Sequence, residues 1–133
     1  RARASALGDG ALHIVHEPGC AIKEHLPGGI SKAVATANTA DSIVLMLGLD
    51  GTVENEGKDR WSRGGKGKSS LQESGQFDSI ALPPVQEELL SQLIDVCAKR
   101  KKHLALVLLS GSAIAVDAAV RSPSVGAILQ AFY

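Results

Sequence analysis

The stretch "SIVLMLGLDGTVENEGKDR", residues 42 to 60, passes from an apolar run into a loop that is rich in glycine and charged residues. Residues 42 to 48 hold five apolar side chains in succession between a serine and a glycine. Such a run, rich in β-forming residues, is typical of a parallel strand that is covered on both faces. Residues 103 to 110 and 125 to 132 repeat the pattern and predict two further strands.

Helical patterns separate these predicted strands. From Pro83, the sequence "PPVQEELLSQLIDVCAKRKK" has apolar residues at helical spacing, with acidic residues early and basic residues late, which matches the dipole of a helix. Residues 30 to 40 predict another helix with Ser31 as its N-cap, and residues 115 to 120 predict a short one. This alternation predicts right-handed crossovers and an α/β fold, with a mostly parallel β-sheet sandwiched between helices.

Both ends of the chain carry weaker patterns. Residues 1 to 11 resemble the end of a helix, residues 13 to 17 alternate like a short strand, and no helical pattern follows the last predicted strand. A sheet of about four strands with incomplete helical cover exposes apolar faces and edges. We therefore expect residues 1–133 to be part of a single α/β sandwich domain, an incomplete fragment of a larger protein.

Composition narrows the classes of partner. There are 14 Lys and Arg against 14 Asp and Glu, and aromatic residues make up 3%; this disfavours nucleic acid and anionic membranes. The apolar runs are far shorter than the roughly 20 residues of a membrane span, which predicts a soluble segment. The histidines and the two cysteines have no metal-ligand spacing, so we expect no metal and no other cofactor. The pattern around Cys97 predicts a buried free thiol on a helix.

The loop after residues 42 to 48 is the candidate site. In open parallel sheets, ligands bind beyond the carboxyl ends of the strands, where residues 49 to 78 begin. Within seven residues this loop holds Glu54, Glu56, Asp59 and Arg60. Carboxyl groups and a guanidinium suit sugar chemistry, because a carboxylic acid can protonate a glycosidic oxygen. On spacing alone, a solvated loop in which Asp59 and Arg60 merely pair or cap is the favoured interpretation.

Two other interpretations fit less well. "GLDGTVE" is similar to the signature of haloacid-dehalogenase-like phosphatases, but Gly48 stands where those enzymes have an aspartate nucleophile, so no phosphoenzyme can form there. Glycines 48, 51 and 57 do not form the G-x-G-x-x-G pattern of dinucleotide-binding folds. A phosphatase-like or nucleotide-binding α/β domain therefore stays a minor alternative.

Four motifs in a fixed order favour the sugar-chemistry interpretation over the others. "DSIVLMLGLDGTVENEGKDR", "IALPPVQEELLSQLI", "HLALVLLSGSAIAVDAA" and "VGAILQAFY" resemble, at the same spacing, the second domain of family 3 glycoside hydrolases. The "GC" at Gly19-Cys20 resembles that family's upstream segment. The motif around "GLD" is most similar to the β-xylosidase branch, with β-glucosidases close behind. A non-catalytic carbohydrate-binding relative is the alternative that this resemblance leaves open.

The resemblance implies a retaining, exo-acting β-glycosidase for oligosaccharide or aryl glycoside substrates. Its nucleophile would lie in an N-terminal barrel domain absent from this chain, so the chain alone would be inactive. The family's "E-G-x-D-R" pattern places the general acid/base on Glu56, with Glu54 in reserve, while Asp59 and Arg60 would shape the loop. The family is also compatible with an extracellular or vacuole-like compartment.

One segment departs from the family pattern. Residues 61–81 are inserted where the family has a handful of residues, and Gly, Ser and Lys dominate the first half, which predicts a mobile loop at the surface. Trp61 in this insertion either stacks on a sugar ring at the rim of the site or packs locally. The insertion leaves the preferred sugar undetermined.

Overall fold

The computed structural model describes residues 3–5, 11–51, 53 and 80–132. Five strands and three helices lie in these ranges. In chain order they are β1 (Arg3–Ser5), β2 (Ala11–His13), α1 (Gly29–Thr39), β3 (Ile43–Gly48), α2 (Pro84–Arg100), β4 (Leu104–Leu109), α3 (Asp117–Arg121) and β5 (Val125–Ala131).

The central feature is a parallel sheet with the strand order β3-β4-β5. Strand β3 pairs with β4 in one continuous register from Ile43 opposite Leu104 to Gly48 opposite Leu109. Strand β5 also pairs in parallel with β4, with a register shift between Leu104 and Ala105. The three predicted strands, the helix from Pro83 and the α/β class are therefore confirmed.

One face of this sheet carries the core. Leu106 is 1% exposed, and the other buried side chains of β3 and β4 lie in the same cluster as the apolar faces of α1 and α2. The cluster comprises Ile30, Ala37, Leu45, Leu47, Leu82, Val85, Leu89, Leu90, Leu93, Val96, Cys97, Leu104, Leu106, Leu108 and Ala119. Cys97 is completely buried on α2, as its helical position predicts.

The opposite face of the sheet is open among the described residues. Val44 and Met46 on β3 are 66% and 61% exposed, and Leu129 on β5 is 60% exposed. Because the chain moves across the sheet in one direction, from β3 to β4 to β5, right-handed crossovers place α2 and α3 on the same side. The prediction that residues 42 to 48 are covered on both faces is therefore wrong for this part of the chain.

The N-terminal segment also differs from prediction. Residues 3–5 form a strand that pairs antiparallel with β2, so the predicted end of a helix is wrong for residues 3–5 and 11. The rest of residues 1 to 11 lies outside the described residues. The strand predicted at 13 to 17 retains only His13, and Ile14 and Val15 after it are exposed. Pairing between strands has overridden the local propensity of both segments, as it commonly does in short β-structure.

Helix α1 begins earlier than its sequence indicates. Its N-cap is Gly28, in the left-handed conformation, and makes no side-chain capping hydrogen bond. Ser31 therefore lies inside the first helical turn, and the prediction that it is the N-cap is wrong. A glycine at this position accepts the left-handed backbone without the steric cost that a side chain imposes.

Gly48 ends β3 at a point where two backbones nearly touch. A Cβ atom at this position would lie 2.0 Å from the carbonyl oxygen of Leu109 and 2.9 Å from its nitrogen. The φ angle of Gly48 is 156°. An aspartate nucleophile of the phosphatase type therefore has no room at this position.

We predict that Leu106→Ala lowers the free energy of unfolding of the 133-residue chain by about 2 to 5 kcal/mol, because it leaves a cavity in the core. Leu129→Ala makes the same chemical change on the open face and should cost about 0.5 kcal/mol or less. Urea denaturation measures both. Equal losses would contradict the assignment of the core to one face of the sheet.

We also predict that Gly48→Ala destabilises the chain by about 1 to 3 kcal/mol or more, because the added methyl group forces β3 away from β4. Gly51→Ala is the matched control, since a Cβ atom there meets nothing within 4 Å. Thermal unfolding of the two variants is the measurement. A Gly48→Ala variant as stable as Gly51→Ala would show that the backbones can separate at no cost.

Candidate functional site

The candidate site lies at the edge of the sheet where β3, β4 and β5 end. Gly48, Leu109 and Ala131 are aligned there by the strand register. Glu54, Glu56, Asp59, Arg60 and Trp61, which the sequence predicts as site residues, lie outside the described residues. The described residues define instead how the loop that carries them leaves the sheet and returns to it.

The exit of the loop is fixed by backbone hydrogen bonds. The Leu49 amide donates to the Leu109 carbonyl at 2.9 Å, which extends the pairing of β3 and β4 by one residue. The Val53 amide donates to the Asp50 carbonyl at 2.9 Å, a spacing that is typical of a β-turn. The chain therefore turns immediately after leaving the sheet, upstream of Glu54.

The return of the loop lies at the same edge. The Ala115 amide donates to the Ile80 carbonyl at 2.8 Å, and Ala81 forms a parallel bridge with Ala115. Leu82 is buried in the core directly afterwards. Of the predicted insertion 61–81, residues 80 and 81 are thus paired with the segment after β4, and the rest lies outside the described residues.

A buried glutamine joins the two ends of the loop. Gln86, on the first turn of α2, is 2% exposed. Its Oε1 accepts a hydrogen bond from the Gly48 amide at 2.8 Å, and its Nε2 donates to the Gly48 carbonyl at 2.7 Å. The same Nε2 donates to the Ile22 carbonyl at 2.8 Å. The side chain therefore pairs both backbone groups of the buried Gly48, which would otherwise lack these partners, and the carbonyl of the half-buried Ile22.

Sequence reasoning assigned no role to Gln86, although it is part of the motif "IALPPVQEELLSQLI". A signal was present: the residue follows Val85 and is three positions before Leu89 on a helix whose apolar side is buried. A polar side chain within that buried stripe needs hydrogen-bond partners. Which partners it has depends on the tertiary fold.

The ends of β4 and β5 are joined in a similar way. Gln130 Nε2 donates to Ser110 Oγ at 2.7 Å, and Ser110 Oγ donates to the Ser112 carbonyl at 2.6 Å. The Ser110 amide also donates to the Ala131 carbonyl at 3.2 Å. Ser110 is completely buried, so its hydroxyl stabilises the turn after β4 and is not exposed as a nucleophile.

A groove of about 370 Å³ opens beside Gly48 and Gln86. Its lining is mostly apolar and comprises Pro18, Cys20, Ala21, Ile22, Met46, Leu47, Gly48, Leu49, Gln86 and Leu109. Burial raises the pKa of the Cys20 thiol, and the negative charge of Glu88 raises it further. A thiol with a raised pKa stays protonated at neutral pH and is a poor nucleophile.

The described residues contain neither a group of metal-binding side chains nor a membrane-spanning helix. Within the described residues, no three His, Cys, Asp or Glu side chains come together in a group that could hold a metal ion. None of the helices in the described ranges combines the length and the apolar character needed to cross a membrane. The described residues at this edge thus fix the backbone at the two ends of the loop. The predicted acidic residues come later in the sequence of the loop and lie outside the described residues.

Comparison with known proteins places the chain in a family. The family described as "Glycosyl hydrolase family 3 C-terminal domain" matches residues 2–133. "Probable beta-D-xylosidase 7" of Arabidopsis thaliana is 30% identical over 128 residues, 96% of this chain and 14% of the relative. "Beta-D-xylosidase 1" of the same plant is 32% identical over 120 residues, 90% of the chain and 13% of the relative.

A fungal relative carries a different sugar in its name. "Probable beta-glucosidase I" of Emericella nidulans is 33% identical over 104 residues, 78% of this chain and 10% of the relative. The chain therefore spans about a tenth to a seventh of the length of these curated relatives. By the match over residues 2–133, the chain belongs to the C-terminal domain family of the family 3 glycosyl hydrolases.

Proposed function

We propose that the parent protein of this chain is a retaining, exo-acting β-glycosidase that removes terminal nonreducing β-linked xylose or glucose. In this proposal the chain supplies the general acid/base, and a barrel domain of the same protein supplies the nucleophile. The observation that carries the proposal is the loop of residues 49 to 81, whose two ends both lie at the carboxyl edge of the parallel sheet. Membership of the family 3 glycosyl hydrolases supports glycoside hydrolysis as the chemistry of the site.

Retaining hydrolysis needs two carboxyl groups with different protonation states. One attacks the anomeric carbon as a carboxylate, while the other donates a proton to the departing glycosidic oxygen and later takes a proton from water. Glu56 is the proposed donor and Glu54 the reserve candidate. A site closed against a second domain favours the protonated form of a carboxyl group, because desolvation and a neighbouring negative charge both oppose its ionisation.

The remaining charged and aromatic residues have supporting roles in this proposal. Asp59 and Arg60 pair to shape the loop, since a bidentate carboxylate and guanidinium pair fixes both partners. Trp61 follows them in the sequence, and its proposed role is to stack on a sugar ring at the rim of the site. Oligosaccharides and aryl glycosides are the proposed substrates.

The first test is Glu56→Ala in the full-length parent, with Glu54→Ala as the matched control. We predict that kcat/KM for β-xylosides with poor leaving groups falls by about 10² to 10⁴, which is the usual contribution of a positioned general acid. Dinitrophenyl glycosides, whose leaving group needs no proton, should keep most of their kcat/KM. Azide should raise kcat on these activated substrates and yield a β-glycosyl azide.

Other outcomes separate the alternatives. If Glu54→Ala shows this behaviour and Glu56→Ala does not, the acid/base is Glu54. If both variants equal the parent on every substrate, the general acid lies off this loop. A parent that binds sugars by calorimetry but hydrolyses none is a non-catalytic carbohydrate-binding relative.

We further predict that the chain of residues 1–133 alone hydrolyses no aryl β-xyloside or β-glucoside, because the proposed nucleophile lies in the other domain. Overnight incubation with a fluorogenic glycoside measures this. Turnover that follows the chain through purification and disappears in its Glu56→Ala variant would contradict the division of the site between two domains.

A further inference from the structure

We propose that Gln86 is a positioning residue for the proton donor, acting through the backbone of Gly48. This inference rests on the proposed function, because its effect on catalysis passes along the loop that carries Glu54 and Glu56. Gln86 does not touch the substrate in this proposal. It sets where the loop starts.

The Gln86 amide makes the hydrogen bonds to Gly48 that a neighbouring strand would make. Within the described residues, β3 pairs with β4 on one side, and no strand lies along its other edge. At the end of that edge, Gln86 accepts from the Gly48 amide and donates to the Gly48 carbonyl. These two bonds replace the pair that an adjacent strand gives to a parallel strand, so they hold the last residue of β3 in the sheet.

The same side chain connects a third segment. Its second amide hydrogen reaches the Ile22 carbonyl at 2.8 Å, in the turn where Cys20 and His25 form a bridge. Both donors of the amide and one acceptor site are thereby used in a position that is 2% exposed. A side chain without this donor and acceptor pattern leaves the three backbone groups without these partners, which is costly.

Gln86 also sits where the loop returns. It is on the first turn of α2, four residues after Leu82, and 38 residues from the Gly48 that it holds. Its hydrogen bonds therefore tie the exit of the loop directly to the return of the loop. On the opposite side of the strand, the hydrogen bond from the Leu49 amide to the Leu109 carbonyl holds the start of the loop against β4.

Gln86 would affect catalysis through the distance between the proton donor and the glycosidic oxygen. Glu54 and Glu56 follow Gly48 by six and eight residues, so a shift of Gly48 moves the start of the segment that presents them. A displacement of about 1 Å in a catalytic group can cost about 10²-fold in rate. A proton donor is the group most affected, because the donor must lie within hydrogen-bond reach of the glycosidic oxygen.

The test compares three variants of the full-length parent. Gln86→Leu removes both the donors and the acceptor. Gln86→Glu keeps the length and the acceptor, but its carboxyl group offers at most one donor, when protonated, to the two carbonyls of Gly48 and Ile22. Gln92→Leu is the matched control, since Gln92 is on the same helix and bonds the exposed Glu88 side chain.

The readout is the dependence of kcat/KM on the leaving group. We expect both Gln86 variants to lose about 10²-fold on alkyl glycosides and disaccharides, and about threefold or less on dinitrophenyl glycosides, which need no proton donor. Gln92→Leu should match the parent on both. The stoichiometry of covalent trapping by a 2-deoxy-2-fluoro-β-glycosyl fluoride counts correctly folded sites, because fluoride also leaves without a general acid.

A uniform loss on all leaving groups, or the loss of covalent trapping in both Gln86 variants, would overturn the proposal and leave Gln86 a purely structural residue. Unchanged kcat/KM on poor leaving groups would overturn it as well. These outcomes are distinct from a failure of the proposed function. If neither Glu54→Ala nor Glu56→Ala affects the leaving-group dependence but Gln86→Leu does, the donor lies elsewhere at the edge that Gln86 holds.

Discussion

The close approach of two strand backbones at Gly48 is the constraint on which the rest of the site depends. With no side chain at this position, the ends of β3 and β4 come so near that a Cβ atom would lie 2.0 Å from the Leu109 carbonyl oxygen. Because both strands stop at the same level, the loop after β3 and the turn after β4 share one edge of the sheet. Gln86 then fixes the free side of Gly48.

The sequence predicted the regular part of the fold well, because that part depends on local patterns. The apolar runs of β3, β4 and β5 and the helical spacing of α2 specify their own secondary structure. The N-terminal strands were missed because each gains its pairing from the other, which no local pattern records. The prediction that residues 42 to 48 are covered on both faces failed for a related reason: an apolar run does not show on which faces of the sheet helices pack.

The candidate site was also predictable from the sequence only in part. Its acidic residues, Glu54 and Glu56, are visible in the sequence as a motif, whereas the residues that fix the base of their loop are not. Gln86 has the right partners only because α2 packs beside the end of β3. Outside the site, Lys102 shows the same limit: the sequence places it among the basic residues that end the α2 segment, but not that its ammonium group donates to the Asn38 carbonyl at the end of α1, at 3.0 Å.

In the proposed function, the chain forms half of a two-domain active site. The chain gives a rigid edge from which one acidic loop starts and to which it returns, and the family assigns glycoside hydrolysis to proteins built with this domain. The pairing of Gln86 with Gly48 connects that fold to the chemistry, because a general acid acts only where its carboxyl group meets the glycosidic oxygen. In this proposal, stability and catalysis depend on the same few hydrogen bonds at the end of β3.

The most direct measurement is a crystal structure of the full-length parent trapped as its 2-deoxy-2-fluoroglycosyl enzyme. We predict that the Glu56 carboxyl group lies about 5 to 5.5 Å from the trapped nucleophile, with the Gln86 amide still bonded to Gly48. A loop of residues 49 to 81 that lies away from the sugar, or a carboxyl group from another segment in that place, would contradict it.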